Sequence, residues 1–531
     1  MSAHVETQTS LGRVRGVRLE SGVEAYLGMR YAHATGGPLR FAPPSPLTTW
    51  ATILTDATRP GPPPPQFDHA RLHLYPRADE DCLWLNVWTP AADAGARPVM
   101  VWIHGGGWLQ ESACDPVYFG DALSSRGDVV VASIEYRLNV FGFGHFADVA
   151  GSGNAGLLDQ VAALTWIQDN ISDFGGDPDN VTIFGESAGG MSVSSLLGMP
   201  RARGLFARAI MQSNVASTVR RPDFAHEITR RISDRCLGTS AAEPDLDALR
   251  AQPWQAVLEA AVRVADESGL GSDVLFGPVH DGDVFPDTPM RATAAGLHAD
   301  VPILLGFTHD ETRYWYDLDP ILAHPDVTAE LIIEAMASPA LPAGATARDL
   351  TDLLRQLEPD LSPVQIGLAG LDDCFFRQPV IRQAEAHHRS AQAPAYLYRL
   401  DWRPTVASDH GFDYGCPHAT DLGLTLGTAD AYPEMYSGEC SQGLTNQMMD
   451  TWIAFAQTGD PNHAGLPEWP PYDTEQRPTM VFDADGHTAT SHLQLDPDPD
   501  RRVFWQPVAF DGRHPSFAPD DLAAGGARPT G

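Results

Sequence analysis

Val181-Thr-Ile-Phe-Gly-Glu-Ser-Ala-Gly-Gly190 reads as a buried strand that runs into a serine flanked by glycines and then into a helix. That is the grammar of a nucleophile elbow, a sharp strand-to-helix turn that lifts a serine Oγ clear of the sheet. Gly185 and Gly189 remove side chains that would crowd such a turn. Ser187 is therefore the candidate nucleophile. In a chain with 48 glycines a G-x-S-x-G match also arises by chance, so its surroundings decide what it means.

Upstream, Leu83 to Trp88, Pro98 to His104 and Val129 to Glu135 are strand-like, the second apolar enough for burial on both faces. Between Asn154 and Phe174 the residues Leu157, Val161, Leu164, Ile167 and Ile171 mark one face of an amphipathic helix. Strand, helix, strand, helix implies an α/β fold with a large, mostly parallel sheet and helices on both faces. Val14 to Tyr31 alternates as an antiparallel hairpin does, and 61–81, opening on a proline run, reads as a surface loop. Segments 220–300 and 325–388 are mainly helical, with strands expected at Val301 to Gly306 and Ala395 to Leu400. The helix Asn446 to Gln457 stops at Thr458-Gly-Asp-Pro461. Residues 1–512 are expected to form one catalytic domain, and 513–531, rich in Gly, Ala, Pro and Asp, a disordered tail.

Composition narrows the chemistry. A net charge of −34 repels nucleic acid and anionic lipid, and it favours neutral or cationic substrates. The chain has no lysine, which removes Schiff-base chemistry and Walker-type phosphate binding. Six scattered cysteines form no C-x-x-C pair, which disfavours a zinc site or a disulfide framework, so neither metal nor cofactor is expected. The first residues have neither a basic start nor an apolar run, and no stretch reaches about 18 apolar residues, so the expectation is a cytoplasmic protein without a membrane span. Oligomeric state is left open.

A serine needs a base, and the base needs an acid to hold its tautomer; in α/β-hydrolases the acid and then the histidine follow the serine. Glu311, in Gly306-Phe-Thr-His-Asp-Glu311, falls just past a strand end, with Asp310 as a rival of equal position. His418, in Gly415-Cys-Pro-His-Ala-Thr-Asp-Leu422, competes with His324, His387, His388, His410 and His463. His104-Gly-Gly-Gly-Trp108, directly after a strand, supplies amides for an oxyanion hole.

Asn154-Ala-Gly-Leu-Leu-Asp-Gln160, Phe174-Gly-Gly-Asp-Pro178 and the elbow itself resemble the signature block of the type-B carboxylesterase family, which includes cholinesterases, animal carboxylesterases and bacterial para-nitrobenzyl esterases. Glu80-Asp-Cys-Leu-Trp-Leu-Asn86, Glu135 to Gly142, Gln212-Ser213 and Thr458 to Asn462 are similar to further family blocks. The resemblance runs from about residue 10 to 510 and implies an α/β-hydrolase fold, with helical insertions over the site. It implies the acid at Glu311, the histidine at His418 and the hole at the amides of Gly106, Gly107 and Ala188. Glu186 matches a position that assists the histidine, and Ser213 a secondary serine near the acid. Tyr314, Trp315 and Trp108 fall where relatives line the pocket with aromatics. Leu72 stands where cholinesterases carry a tryptophan for the quaternary ammonium, which makes choline esters poor substrates. Secreted members pair the cysteine equivalent to Cys82 with one upstream, and no cysteine precedes Cys82 here, in keeping with a reducing compartment.

The function implied is a serine carboxylesterase acting through an acyl-enzyme on small esters with apolar or aromatic groups. An amidase, a carbamate hydrolase or a lipase uses the same triad, and a non-catalytic binding protein of the same fold is the remote alternative.

Overall fold

Apolar runs without polar alternation make strands buried on both faces. The computed structural model describes residues 3–50, 53–214, 219–268, 275–316, 322, 324, 326–405, 411–436 and 440–510. The expected tail from 513 and the rival His410 lie outside the described residues. The described chain falls into two compact units, one of residues 3–209 and 219–289, the other of 210–214 and 290–510.

In the first unit β1 (His4–Thr9), β2 (Gly12–Arg18), β3 (Glu24–Arg30), β4 (Leu54–Asp56), β5 (Trp84–Thr89), β6 (Arg97–Ile103), β7 (Val130–Ile134) and β8 (Gly176–Glu186) form sheet. Their order is β1-β2-β3-β5-β7-β6-β8, with β4 beside β2. At its centre β6 runs parallel to both β7 and β8, Val101 lying level with Ala132 and Ile183. Val99 to Ile103 and Val130 to Ile134 are fully buried, each branched side chain contributing about 1.5–3 kcal/mol. The expected hairpin is present as the antiparallel pair β2 and β3, extended at its edge by β1.

The helix Ala155–Asn170 departs from the one-faced reading. Val161 is only half-buried, whereas the polar Asp159, Gln160 and Asn170 are buried. Each of the three has a partner that makes its burial tolerable. Asp159 takes two 2.7 Å bonds from Arg137, Gln160 donates to Ser192 Oγ at 3.1 Å, and Asn170 accepts from Ser10 Oγ at 2.6 Å.

The division between the units falls within β9 (Arg208–Gln212). In the second unit β10 (Ile303–Thr308), β11 (Ala395–Leu400) and β12 (Pro478–Phe482) are parallel. The hairpin of β13 (Ala484–Asp485) and β14 (Thr488–Ala489) leads to β15 (His492–Leu495), antiparallel to β12. The 325–388 region is helical as expected, with helices Ala329–Met336, Ala347–Leu357, Pro363–Asp372 and Gln378–Ser390. A π-helical turn, Asp373–Arg377, joins the last two. The helix Gln442–Thr458 begins four residues before the expected Asn446, because Ser441 caps it by accepting from Leu444 N. It ends at Gly459 with φ 81°, as the glycine stop signal requires.

Candidate active site

In the first unit β8 ends at Glu186 and a helix opens at Ala188, which leaves Ser187 alone in the turn. Its φ of 56° and ψ of −126° lie where non-glycine residues are strained, and such strain gathers at functional sites. From Val181 to Gly190 every residue is buried except Ser187, which keeps partial exposure. The flanking glycines are steric necessities. A Cβ on Gly189 would lie 2.0 Å from the Ile103 carbonyl oxygen, and one on Gly185 would lie 2.6 Å from the same oxygen.

The glycine run passes beside this turn. A Cβ on Gly105 would meet Ser187 Cβ at 3.3 Å and the Glu186 carbonyl oxygen at 3.0 Å. Gly106 and Gly107 have φ of 83° and 64°, the left-handed backbone that glycine adopts without penalty. Trp108 keeps φ 60° and is fixed at both ends: its indole N–H donates to Ser192 Oγ at 3.0 Å, and its carbonyl accepts from Asn139 N at 2.6 Å. The Arg220 guanidinium lies over its ring at 5.5 Å. Gly105 to Trp108, Glu186, Ser187 and Ala188 are thus one cluster. Leu72 is half-buried in the short turn Leu72–Leu74, and no contact places it in that cluster.

In the second unit β10 delivers Glu311, which is fully buried. Its Oε2 meets His418 Nδ1 at 2.5 Å, while Oε1 accepts Ser213 Oγ at 2.7 Å and Thr308 N at 2.8 Å. Those donors hold the carboxylate in one orientation. The backbone repeats the link, His418 N donating to Glu311 O at 3.1 Å. With Nδ1–H donated to the carboxylate, Nε2 is the ring nitrogen that carries the lone pair.

Asp310 faces elsewhere. Its carboxylate accepts from Cys416 N at 2.9 Å, Arg313 Nη2 at 2.8 Å and His309 Nδ1 at 3.1 Å. Burial pushes this carboxyl up, but His309, Arg313 and the Cys416 amide outweigh it and hold it well below its usual range. Asp310 N also donates to Cys416 O at 3.0 Å, so the residue ties the acid's loop to the histidine's loop. Gly415 makes room: a Cβ there would lie 2.1 Å from Asp310 Oδ2.

The rival histidines have other partners. His387 bonds the Ala393 carbonyl, and burial pushes it down to about 4. His463 meets Thr451 Oγ1, His324 accepts from Asp326 N, and His388 is exposed.

Tyr314 and Trp315 stand beside His418, with ring centroids 6.0 and 5.1 Å from the imidazole. A third ring, Phe376, is 5.1 Å away and stacks on Trp315. Sequence periodicity misses Phe376 because it sits in the π-helical turn, which has no 3.6-residue signature. Two buried acids complete the surroundings. Asp372 accepts from Thr312 N at 2.6 Å, and burial raises it to about 7; Asp421 accepts from Tyr398 Oη at 2.8 Å and is raised by burial to about 6. Among the described residues no group of three or more His, Cys, Asp or Glu is placed to hold a metal, and no helix is long and apolar enough to cross a membrane.

The Carboxylesterase family model matches residues 2–497. The chain is 35% identical over 510 residues to the para-nitrobenzyl esterase of Bacillus subtilis (strain 168), across 94% of this chain and 98% of that one. It is 33% identical over 496 residues to the phenmedipham hydrolase of Pseudarthrobacter oxydans, across 90% and 95%. Among solved structures, the carboxylesterase EST55 of Geobacillus stearothermophilus matches with a TM-score of 0.82 at 36% identity, over 94% of this chain and 100% of that one. A match over nearly the full length of both chains carries the fold with it, and the elbow and buried Glu-His pair are the parts such chemistry needs. The chain belongs to the carboxylesterase family: it is a carboxylic ester hydrolase with the α/β-hydrolase fold.

Proposed function

We propose that Ser187, His418 and Glu311 form the catalytic triad and that the enzyme cleaves small, neutral esters with apolar or aromatic groups through an acyl-enzyme. The observation that carries this reading is the 2.5 Å contact between His418 Nδ1 and Glu311 Oε2, which leaves Nε2 as the base. Nε2 takes the Ser187 proton as Oγ attacks the ester carbonyl. The amides of Gly106, Gly107 and Ala188 hold the oxyanion, each donor lowering the barrier by about 3 kcal/mol. The imidazolium then protonates the leaving alcohol, and a water repeats the sequence on the acyl-enzyme. Glu186 assists the histidine by its charge, and Ser213 fixes the acid.

Tyr314, Trp315, Phe376 and Trp108 supply the aromatic wall of the pocket, and Leu72 offers no π face for a quaternary ammonium. The two units work as one catalytic domain. All six cysteines are free thiols, which supports a bacterial-type enzyme of the reducing cytoplasm; the net charge of −34 weighs against nucleic acid or an anionic membrane as partner. Similarity to the phenmedipham hydrolase supports phenmedipham as a second substrate.

The test is Ser187→Ala with p-nitrophenyl butyrate, together with peptide mapping of the protein after a fluorophosphonate. Loss of at least 10³-fold in kcat and a label on Ser187 are expected. Retained activity, or a label elsewhere, removes the assignment.

A further inference from the structure

A trans peptide points its carbonyl and its N–H in opposite directions, so whatever grips a carbonyl also aims the amide of the following residue. The Gly107 amide is aimed by backbone: the Gly106 carbonyl accepts from Leu109 N at 3.0 Å and Gln110 N at 3.2 Å. The Gly106 amide is aimed by a side chain, because the Gly105 carbonyl lies 3.2 Å from His104 Nδ1. A carbonyl only accepts, so Nδ1 carries the proton of that bond.

His104 is fully buried and clamped. Its ring stacks on Tyr136 with centroids 4.5 Å apart, and its own carbonyl accepts from Tyr136 Oη at 2.8 Å. Nε2 has no hydrogen bond, and 3.6 Å from it lies Glu135 Oε2, which is buried and has none either. The other carboxylate oxygen is engaged: Oε1 accepts from Ser112 Oγ, with Cys114 Sγ at 3.7 Å. Ser112 Oγ in turn accepts from Cys114 N at 3.0 Å. A gap of 3.6 Å is too narrow for a water molecule to stand in. Two lone pairs facing each other in a dry interior repel, so one proton is held between Nε2 and Oε2. Whichever of the two carries it, Nδ1 keeps its own proton for Gly105.

We infer that, with the Gly106 amide read as an oxyanion donor, His104 is a positioning residue for that donor and Glu135 holds its ring. Neither residue touches the ester. His104 acts through the Gly105–Gly106 peptide, and Glu135 acts through the His104 ring. The arrangement lies wholly in the first unit and does not involve Glu311 or His418.

His104→Leu and His104→Asn both lose the Nε2 contact with Glu135, but the asparagine amide stands where Nδ1–H does and still donates to Gly105 O. Turnover of p-nitrophenyl butyrate is referred to sites titrated with a fluorophosphonate, because a merely structural role lowers the number of active sites and not the rate at each. His104→Leu is expected to lower kcat about tenfold with KM within about twofold, since a tilted donor costs less than the roughly 10²–10³-fold of a lost one. His104→Asn is expected to recover about threefold or more of that loss. Equal losses in the two variants, or unchanged turnover in His104→Leu, overturn the proposal. If His104→Leu is insoluble, Glu135→Leu and Glu135→Gln make the comparison from the other side of the pair: leucine strands Nε2, glutamine donates to it, and equal turnover overturns the proposal. Crystals of the parent with trifluoroacetophenone separate this from the hole itself, as Ser187 Oγ adds to the ketone carbon, its proton passes to His418 and the ketone oxygen becomes the oxyanion. An oxygen away from Gly106 N removes the hole reading and the proposal with it; an oxygen on Gly106 N, with turnover unchanged in His104→Leu, overturns the proposal alone.

Discussion

Ser213 donates its hydroxyl to Glu311 on the carboxylate oxygen opposite the one that meets His418. Thr308 N bonds the same oxygen, so the acid is gripped on one side and presents the other to the imidazole. A hydrogen bond to a charged group contributes about 1.5–3 kcal/mol. Ser213→Ala is therefore expected to lower kcat by roughly 10-fold to 100-fold with KM little changed, since only the acid's grip is loosened. Steady-state kinetics on p-nitrophenyl butyrate check this, and an equal change in KM alone speaks against a role through Glu311.

Glu311 and Asp310 are neighbours in sequence and face different partners, which separates their variants. Glu311→Gln removes the charge that balances the imidazolium and is expected to cost about 10⁴-fold in kcat with the fold intact. Asp310→Asn leaves Arg313, 1% exposed, without its carboxylate. Breaking such a buried pair costs about 3–5 kcal/mol, so a large drop in Tm with a smaller loss of activity per folded molecule is expected. Denaturation curves and active-site titration distinguish the two.

Gly189→Ala places a methyl group 2.0 Å from a carbonyl oxygen that the β6 backbone cannot move. The expected result is insoluble protein, or a soluble fraction less stable by several kcal/mol, since overpacking alone typically costs about 1–3 kcal/mol. Urea unfolding of the purified variant reads this, and a midpoint equal to that of the parent rules out the close approach.

Asp372 gives a pH signature. Its folded value, about 7, lies above its ordinary value of 3.8 because of burial. A group raised on folding contributes stability that is full below the unfolded value and is lost as pH rises through the folded one. Asp372→Asn keeps an acceptor for Thr312 N and removes the ionisation. The variant is expected to match the parent near pH 4 and to exceed it at pH 8, by up to about 4 kcal/mol. Melting temperatures across that range check it, and parallel curves refute it.

Local signals were the most legible. The elbow is written in contiguous residues, so its strained turn is foreseeable from Gly185, Ser187 and Gly189 alone. The strands β6 and β7 announce themselves because their apolar runs need no distant partner. The choice of Glu311 over Asp310 rests on resemblance in the sequence: what turns Asp310 away from His418 is Arg313 and the Cys416 amide, one of them more than 100 residues distant. The breadth of burial of the helix Ala155–Asn170 was hidden for the same reason, since Asp159 is acceptable inside only because Arg137 meets it. Phe376 was invisible because a π-helical turn breaks the period by which a helical face is read.

The nearest atoms that wedge the Ser187 turn are main-chain ones: the carbonyls of Ile103 and His104 against Gly189, and that of Glu186 against Gly105. A seat made mostly of backbone offers little for substitution to adjust. On the proposed triad, engineering of substrate preference leaves Ser187 where it is and works on the rings around His418, where Tyr314, Trp315 and Phe376 are side chains rather than backbone.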